Sequence, residues 1–419
     1  MPTPTLHASQ KTKKTAIGEI PVDWRTRELG ALSKIVSGGT PHKGQAAYWR
    51  GSIPWFSAKD LKKFWLDDSI DTISAEGAAA NCRLVPSNTV LILVRGMTLN
   101  KDVPVGITTR QSAFNQDLKG LLPNDDVSAE FLAYALAARK THLLALVDRS
   151  GHGTGRIQTE LLRSFLIALP PLPEQQRIAA VLGTWNRAID RQEQLLLTKQ
   201  QLKHGFMQQL LTGKKRFKSS AGQQWKTYRL SDLLERVFRP VTLSGDDPLD
   251  LISIRRRAGG LFFRGSFTAK EFKTVDLNRI EAGDFLVSKR QVTHGALAMV
   301  RQPFDGMHVS NEYVIFRCKA PEKLHMPFFD WLARSPRMWH MAYLASNGVH
   351  IEKLIFDARD FLREKIALPP SLEEQREIVE LLEGSDTEIR LLQEELKTLK
   401  EQKRGMMQRL LTGKLRVRE

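Results

Sequence analysis

The sequence predicts an α+β chain in which two tandem mixed α/β domains are each followed by a long helix. Three features carry that reading: a helical stretch that occurs twice, two longer segments that are framed alike, and a heptad pattern in both repeats. The eleven residues from Leu172, LPEQQRIAAVL, recur from Leu372 as LEEQREIVELL. The register then holds without a gap to 203–214 and 403–414, which both end in Leu-Leu-Thr-Gly-Lys. Self-similarity sustained over such a length marks an internal structural repeat. The resulting division is a flexible basic tail (1–17), a first domain (18–168), a helical repeat (169–217), a second domain (218–367) and a second helical repeat (368–419).

The first domain opens on Trp24-Arg25-Thr26-Arg27-Glu28-Leu29, which resembles Trp225-Lys226-Thr227-Tyr228-Arg229-Leu230 at the start of the second. Their ends also correspond: Phe165-Leu166-Ile167-Ala168-Leu169-Pro170 matches 363–369 less closely. Runs of β-branched and aromatic residues predict strands at 35–37, 53–57, 90–94, 251–254 and 285–288. Helices are expected at 129–146 and 328–344. A Leu-Pro-Pro step then leads into each repeat, at 169–171 and 368–370.

Proline suits the start of a helix, and Gly213 and Gly413 suit C-terminal caps. Within the repeats, alternating four-three spacing places Ile178, Leu182, Trp185, Ile189, Leu196, Phe206 and Leu210 on one seam. Its counterpart carries Ile378, Leu382, Ile389, Leu392, Leu396, Leu399, Met406 and Leu410. Gln192, Lys199 and Lys203 interrupt the first seam, where polar residues can fix register. About 35 helical residues at 1.5 Å each make a rod of about 50 Å. Two matching stripes of equal length are natural partners; burial of each stripe against its own domain is the simpler alternative.

Composition narrows the function. The 419 residues hold 63 Lys+Arg against 46 Asp+Glu, a formal charge of +17, with a pI near 9.9. Such an excess points to a polyanion, with nucleic acid foremost. No apolar run is long enough to span a bilayer, and residues 1–14 lack the apolar core of a signal peptide. Cys82 and Cys318 stand far apart without CxxC partners, which argues against a zinc ribbon or disulfide framework and fits a reducing cytoplasm.

The common catalytic signatures are missing from the sequence. The sequence lacks a [DNS]-P-P-[YF] amino-methyltransferase loop and a G-x-x-x-x-G-K-[ST] phosphate loop. Glu271-Phe272-Lys273 could end a nuclease site, but it reads better as an exposed charge pair. Histidines 294, 308, 325, 340 and 350 have no metal-ligand spacing. No catalytic residue and no metal ligand is therefore assigned.

Taken together, the residues resemble a specificity subunit of a type I restriction-modification system. The resemblance runs from about Gly18 to Arg416. Its marks are Gly18-Glu19-Ile20-Pro21-Val22-Asp23-Trp24, Ser37-Gly38-Gly39-Thr40-Pro41, Ile53-Pro54-Trp55-Phe56-Ser57-Ala58-Lys59-Asp60-Leu61, and the repeated Leu-Pro-Pro, Glu-Gln and Leu-Leu-Thr-Gly-Lys signatures. It implies two target-recognition domains, each reading half of a split double-stranded DNA site. It also implies that the helices pack as an antiparallel coiled coil and that the chain itself binds no cofactor. Modification subunits would bring S-adenosylmethionine, and restriction subunits ATP and Mg2+. The second domain departs from the pattern, with Phe238-Arg239-Pro240 in place of Ser-Gly-Gly-Thr-Pro.

Candidate DNA contacts follow from what phosphates and base edges require. In the first domain they are Gly38, Gly39, Thr40, Trp55, Ser57, Lys59, Asp60, Arg95, Ser150, Gly151, Thr154 and Arg156. In the second they are Arg255, Arg256, Arg257, Arg264, Lys289, Arg290, Gln291, Ser346, Asn347 and His350. A stand-alone DNA-binding regulator explains the charge but not the matched helices. A coiled-coil scaffold explains the helices but not the tandem domains, and a self-contained methyltransferase or nuclease lacks its motifs.

Overall fold

The computed structural model describes residues 5–8, 11–149, 153–220, 222–242, 248–271, 276–348, 350 and 354–418. The chain forms two compact units, residues 1–194 with 393–419 and residues 195–392. Each unit therefore joins one domain to the start of the helix that follows it and to the end of the other helix. The long helices are Leu172–Leu210 and Leu372–Leu411.

In the first unit, Ser33–Ser37, Leu118–Pro123, Val90–Leu93 and Val105–Thr108 lie side by side in that order, with Trp65–Leu66 added parallel at the edge. A smaller sheet of Ala113–Phe114, Ile53–Phe56 and Asp71–Ile73 stands beside it. In the second unit, Leu234–Val237, Tyr313–Cys318, Phe285–Ser288 and Leu297–Met299 repeat the same four-strand order. A separate five-stranded sheet, 240–241, 277–279, 308–310, 249–254 and 261–267, takes the place of the smaller one. The framing segments recognised in the sequence pair with each other: Arg25–Glu28 lies against Leu166–Leu169, and Lys226–Arg229 against Lys365–Leu368. Each ribbon closes its domain where the long helix begins.

Three expectations need correction. The helix expected at 129–146 is two helices, Ala129–Ala138 and Lys140–Ala145, separated at Arg139. The helix expected at 328–344 breaks at Ser335-Pro336, where Ser335 caps a new helix by accepting from Met338 N and proline blocks continuation. The segment expected to be a flexible tail carries paired strands: Thr5–Ala8 against Leu415–Arg418, and Thr12–Thr15 against Gly18–Pro21.

The helix seams play two roles. Ile178, Leu182 and Leu410 join the core of the first unit; Leu210, Ile378 and Leu382 join that of the second. The start of each stripe is thus buried against its own domain, as the simpler alternative expected, while its end is buried in the other unit's core. Farther along, Leu196, Leu392, Leu396 and Leu399 are half-buried while the positions beside them are exposed. Polar groups along the helices meet across them. In the first unit Gln192 Nε2 donates to Glu395 (2.7 Å), Lys400 pairs with Glu193 (2.6 Å), and Lys403 donates to Asn186. In the second unit Lys199 pairs with Glu388 (2.6 Å) and Lys203 with Asp386. Within both units the helix segments run in opposite directions.

The repeated Glu-Gln dipeptide holds each unit together. Glu174 receives Arg416 Nε and Nη2, both at 2.6 Å, and Trp24 Nε1 at 3.1 Å. In the second unit Glu374 receives Arg216 Nε and Nη2. The glutamines face the domains. Gln175 accepts from Ser128 N and donates to Asp126 O and Pro170 O; Gln375 accepts from His325 N and donates to Lys323 O and Pro369 O.

Glu174 and Arg416 are both nearly inaccessible, so removing one partner strands a buried charge. Arg416→Ala should destabilise the protein by about 3–5 kcal/mol in urea unfolding followed by circular dichroism. The Glu174→Gln/Arg416→Met double variant should recover part of the loss. A cost below about 1 kcal/mol, as for an exposed pair, would rule out the clamp.

Candidate nucleic-acid interface

The first-domain candidates divide into framework and surface. Gly39 N donates to Phe114 O at 2.9 Å, while Gly39 O accepts from Trp55 Nε1 at 2.9 Å. A Cβ on Gly38 would stand 2.2 Å from Phe114 O, and one on Gly39 1.9 Å from Asn81 O. Glycine is required here for close backbone approach. Trp55 is buried and meets Trp49 edge-on, ring centres 5.1 Å apart, so it supports the turn rather than facing solvent. Asp60 accepts from Ser57 N, Ser57 Oγ and Ile70 N, all at 2.8 Å, which commits Ser57 and Asp60 to their own loop. Lys59 is exposed on an open cleft that Lys43, Trp49 and Asp71 also line.

The exposed cations lie on a neighbouring ribbon. Arg95 stands directly opposite Arg156 on paired strands, and both are exposed. Among the described residues neither forms an ion pair. Like charges placed opposite each other on a sheet repel unless a counter-anion intervenes. Half-buried Lys119 adds a third cation and donates to Ser37 Oγ at 2.6 Å. Burial, and secondly the charge of Arg156, hold its pKa below the ordinary lysine value. Thr40 Oγ1 donates to Gln116 Oε1 at 2.6 Å, which leaves the exposed Gln116 amide free to donate. Thr154 is exposed beside this ribbon. Ser150 and Gly151 lie outside the described residues.

The structure thus gathers Thr40, Arg95 and Arg156 with two residues that sequence reasoning missed, Gln116 and Lys119. The signal available for them was the polar break Asn115-Gln116-Asp117 between two apolar strands.

In the second domain Arg255, Arg256 and Arg257 form the turn between strands Leu249–Ile254 and Leu261–Phe267. Arg257 and Ala258 adopt left-handed φ values of 57° and 52°. Hydrogen bonds from Arg257 N to His294 O (2.7 Å) and from Ala258 N to Gly295 O (2.9 Å) hold them there. Such strained residues persist where surrounding contacts over-determine them. Arg255 is spent internally, over the Phe262 ring and on Leu261 O. Arg256, Arg257 and Arg264 are exposed without an ion pair among the described residues.

Arg290 is neutralised by Glu312 at 2.8 Å. Lys289 is half-buried, and its carbonyl accepts from Phe356 N. Gln291 Oε1 is buried without a partner. Ser346 Oγ donates to Ala342 O (2.7 Å), while Asn347 and His350 are exposed. Arg239, in the stretch that departs from the family pattern, is bound to buried Asp284 at 2.7 and 3.2 Å. Glu271 accepts from Thr268 N and Oγ1 and closes a turn; Phe272 and Lys273 lie outside the described residues.

The pattern described as type I restriction modification DNA specificity domain matches twice, at residues 21–199 and 222–401. The chain belongs to the family of type I restriction-modification specificity subunits. As a specificity subunit it is a non-catalytic component of such a system. It is 33% identical over 167 residues to the type I restriction enzyme EcoR124I/EcoR124II specificity subunit of Escherichia coli, across 39% of this chain and 41% of that one. The chain's match therefore spans about two fifths of that relative's length. The putative type I restriction enzyme MjaX specificity subunit of Methanocaldococcus jannaschii aligns over 99% of this chain and 98% of its own, at 26% identity. The crystal structure of the S subunit from M. genitalium shares the fold, with a TM-score of 0.58 at 15% identity over 93% of this chain and 96% of that one.

Because the Gly38-Gly39 turn is framework, Gly39→Ala should lower the melting temperature and raise Trp55 exposure to fluorescence quenchers. Lys59→Ala should leave both unchanged. An unchanged melting temperature for Gly39→Ala would mean the turn tolerates a side chain.

Proposed function

We propose that this specificity subunit reads a bipartite double-stranded DNA site, one half-site per domain, and directs partner subunits to it. One observation carries the reading: the two units repeat the same frame yet present different surface chemistry at equivalent points. Val94 O accepts from Ile157 N as Lys289 O accepts from Phe356 N, which makes Arg290 the counterpart of Arg95. Strand pairing likewise makes Ile355 the counterpart of Arg156. Where the first domain has two arginines without an ion pair among the described residues, the second has an arginine paired to Glu312 and an isoleucine. Its free arginines stand instead on the 255–257 turn and strand 261–267. One scaffold with two tip chemistries is what reading two unlike half-sites requires.

Exposed cations supply phosphate attraction, and oriented amides and guanidiniums read base edges. The opposed polar pairs and the half-buried seam support packing of the long helices as an antiparallel coiled coil. Leu195, Leu197, Leu202 and Leu391 remain exposed on these helices and offer apolar surface to the modification subunits. Those subunits bring S-adenosylmethionine for methyl transfer; restriction subunits bring ATP-driven translocation and Mg2+-dependent cutting. No described helix is long and apolar enough to cross a membrane, and the reading assigns the complex to the cytoplasm.

Two classes of contact should separate in salt-dependent binding measurements with the assembled methyltransferase. Arg156→Ala should weaken binding to all sequences alike and reduce the salt slope by about 1. Gln116→Ala should keep the slope and relax preference at one base position by about 1–3 kcal/mol. A sequence-specific effect from the arginine alone would exchange the two roles.

Replacing residues 20–168 by the corresponding domain of a relative should change one half of the methylated site and leave the other intact. Methylome sequencing decides it: if both halves change together, independent readout is wrong.

A further inference from the structure

In the first unit the Leu-Leu-Thr-Gly-Lys end of a long helix is covered by the chain's own N-terminal segment. Thr5–Ala8 pairs with Leu415–Arg418, and Leu415, Arg416 and Val417 are 7%, 5% and 0% exposed. In the hairpin that follows, Ile20 is buried, Ile17 packs on the same core, and Pro21 lies so close that a Cβ on Gly413 would meet it at 2.3 Å.

In the second unit the same sequence at the end of the other helix has its two leucines buried in the core, but among the described residues no hairpin lies over it. A Cβ on Gly213 would meet the Trp225 ring first, at 3.1 Å. Lys215 is exposed, Arg216 and Phe217 are half-buried, and among the described residues no strand pairs with this tail. A cavity of about 800 Å³ remains, walled by Met207, Leu211, Trp225, Met338, Trp339 and Met341. Among the described residues Trp225 Nε1 is buried without a partner, whereas its counterpart Trp24 Nε1 donates to Glu174.

We propose that this cavity docks a short apolar, proline-bearing segment of a partner protein, flanked by carboxylates. The first unit shows what shape fills such a surface: an isoleucine and a proline seated on a helix-ending glycine. Methionine-rich walls adapt to a peptide, and the volume is that of a ligand site. The rim sets the charge. Lys214 and Arg337 are exposed there without an ion pair among the described residues. Two uncommitted cations on the rim favour an occupant whose flanks carry carboxylates.

The probe is a fluorescent peptide copying residues 13–22 with Lys13→Glu and Lys14→Glu, titrated into the full chain beside the native peptide. The acidic peptide should bind saturably and about tenfold more tightly than the native one, the scale of an attractive charge pair exchanged for a repulsive one. Reversing the exposed rim with Lys214→Glu and Arg337→Glu should invert that order. A benzophenone replacing the peptide's Ile20 should cross-link to Met338 or Met341. Equal affinity for both peptides, no saturable binding, or indifference to rim reversal would overturn the proposal. So would cross-links to Met406 or Met407, since the peptide would then be displacing the chain's own cover. Displacement of the acidic peptide by duplex DNA would also overturn it, because the rim would then belong to the nucleic-acid surface.

Discussion

A buried carboxylate–guanidinium pair closes each unit, and its two halves come from different copies of the repeat. Glu174 begins the first helix, and Arg416 lies in the tail after the second; Glu374 begins the second helix, and Arg216 lies in the tail after the first. Each carboxylate is almost wholly withdrawn from water. Such a charge is tolerable only when its lone pairs are filled, which the forked guanidinium does with two parallel bonds. In the first unit Asp23 takes the outer side of the same guanidinium and the Trp24 ring lies 5.7 Å from it. Neither unit can therefore form from one copy of the repeat alone. The adjacent glutamine performs the complementary task, tying the start of the helix to the domain before it. Together the two residues give a physical reason for a Glu-Gln dipeptide where each helix begins.

The seam follows from that closure. With the ends pinned in domain cores, the middle of each stripe needs only partial burial, and its polar positions find partners. Lys203 meets Asp386, while the equivalent Lys403 meets Asn186, a neutral group. Burial pushes the Lys403 ammonium below its ordinary pKa, with Asp190 opposing that shift and Lys140 and Lys400 adding to it. Lysines at equivalent seam positions thus sit in different electrostatic settings. Specific polar contacts of this kind favour one register over its neighbours.

Much of this frame was legible in the sequence because repetition and periodicity are carried by many residues at once. The heptad positions, the glycine caps at φ 69° and 70°, and the framing segments all rest on such redundancy. The two broken helices were misread because a run of apolar residues does not reveal a single Ser-Pro or a local change at Arg139. The N-terminal pairing was missed because its partner strand lies at the opposite end of the sequence. For the candidate interface, residue type marked the cations but not which side chains the frame consumes. Trp55, Ser57 and Asp60 share a motif with Lys59, yet only Lys59 faces solvent with its charge uncommitted. Gln116 carried only the polar break around it as a signal; its orientation depends on Thr40, distant in sequence.

Under the proposed reading, the division between frame and tip also explains how one fold could carry two recognition chemistries. A residue that the frame consumes is not free to change: a side chain on Gly39 would strike Asn81 O, and Asp60 already satisfies three donors. Arg95, Gln116 and Arg156 stand on the same backbone with little of their side chain spent on it, so substitution there alters the surface without disturbing the core. The second unit follows the same rule by other means. Its 255–257 turn is held by backbone hydrogen bonds to His294 and Gly295, not by the arginine side chains, so Arg256 and Arg257 keep their guanidiniums available. Rigid backbone fixes where a donor can be, and uncommitted side chains decide which donor it is. On the proposed reading, specificity could then vary one domain at a time, while the buried pairs that close each unit stay the same.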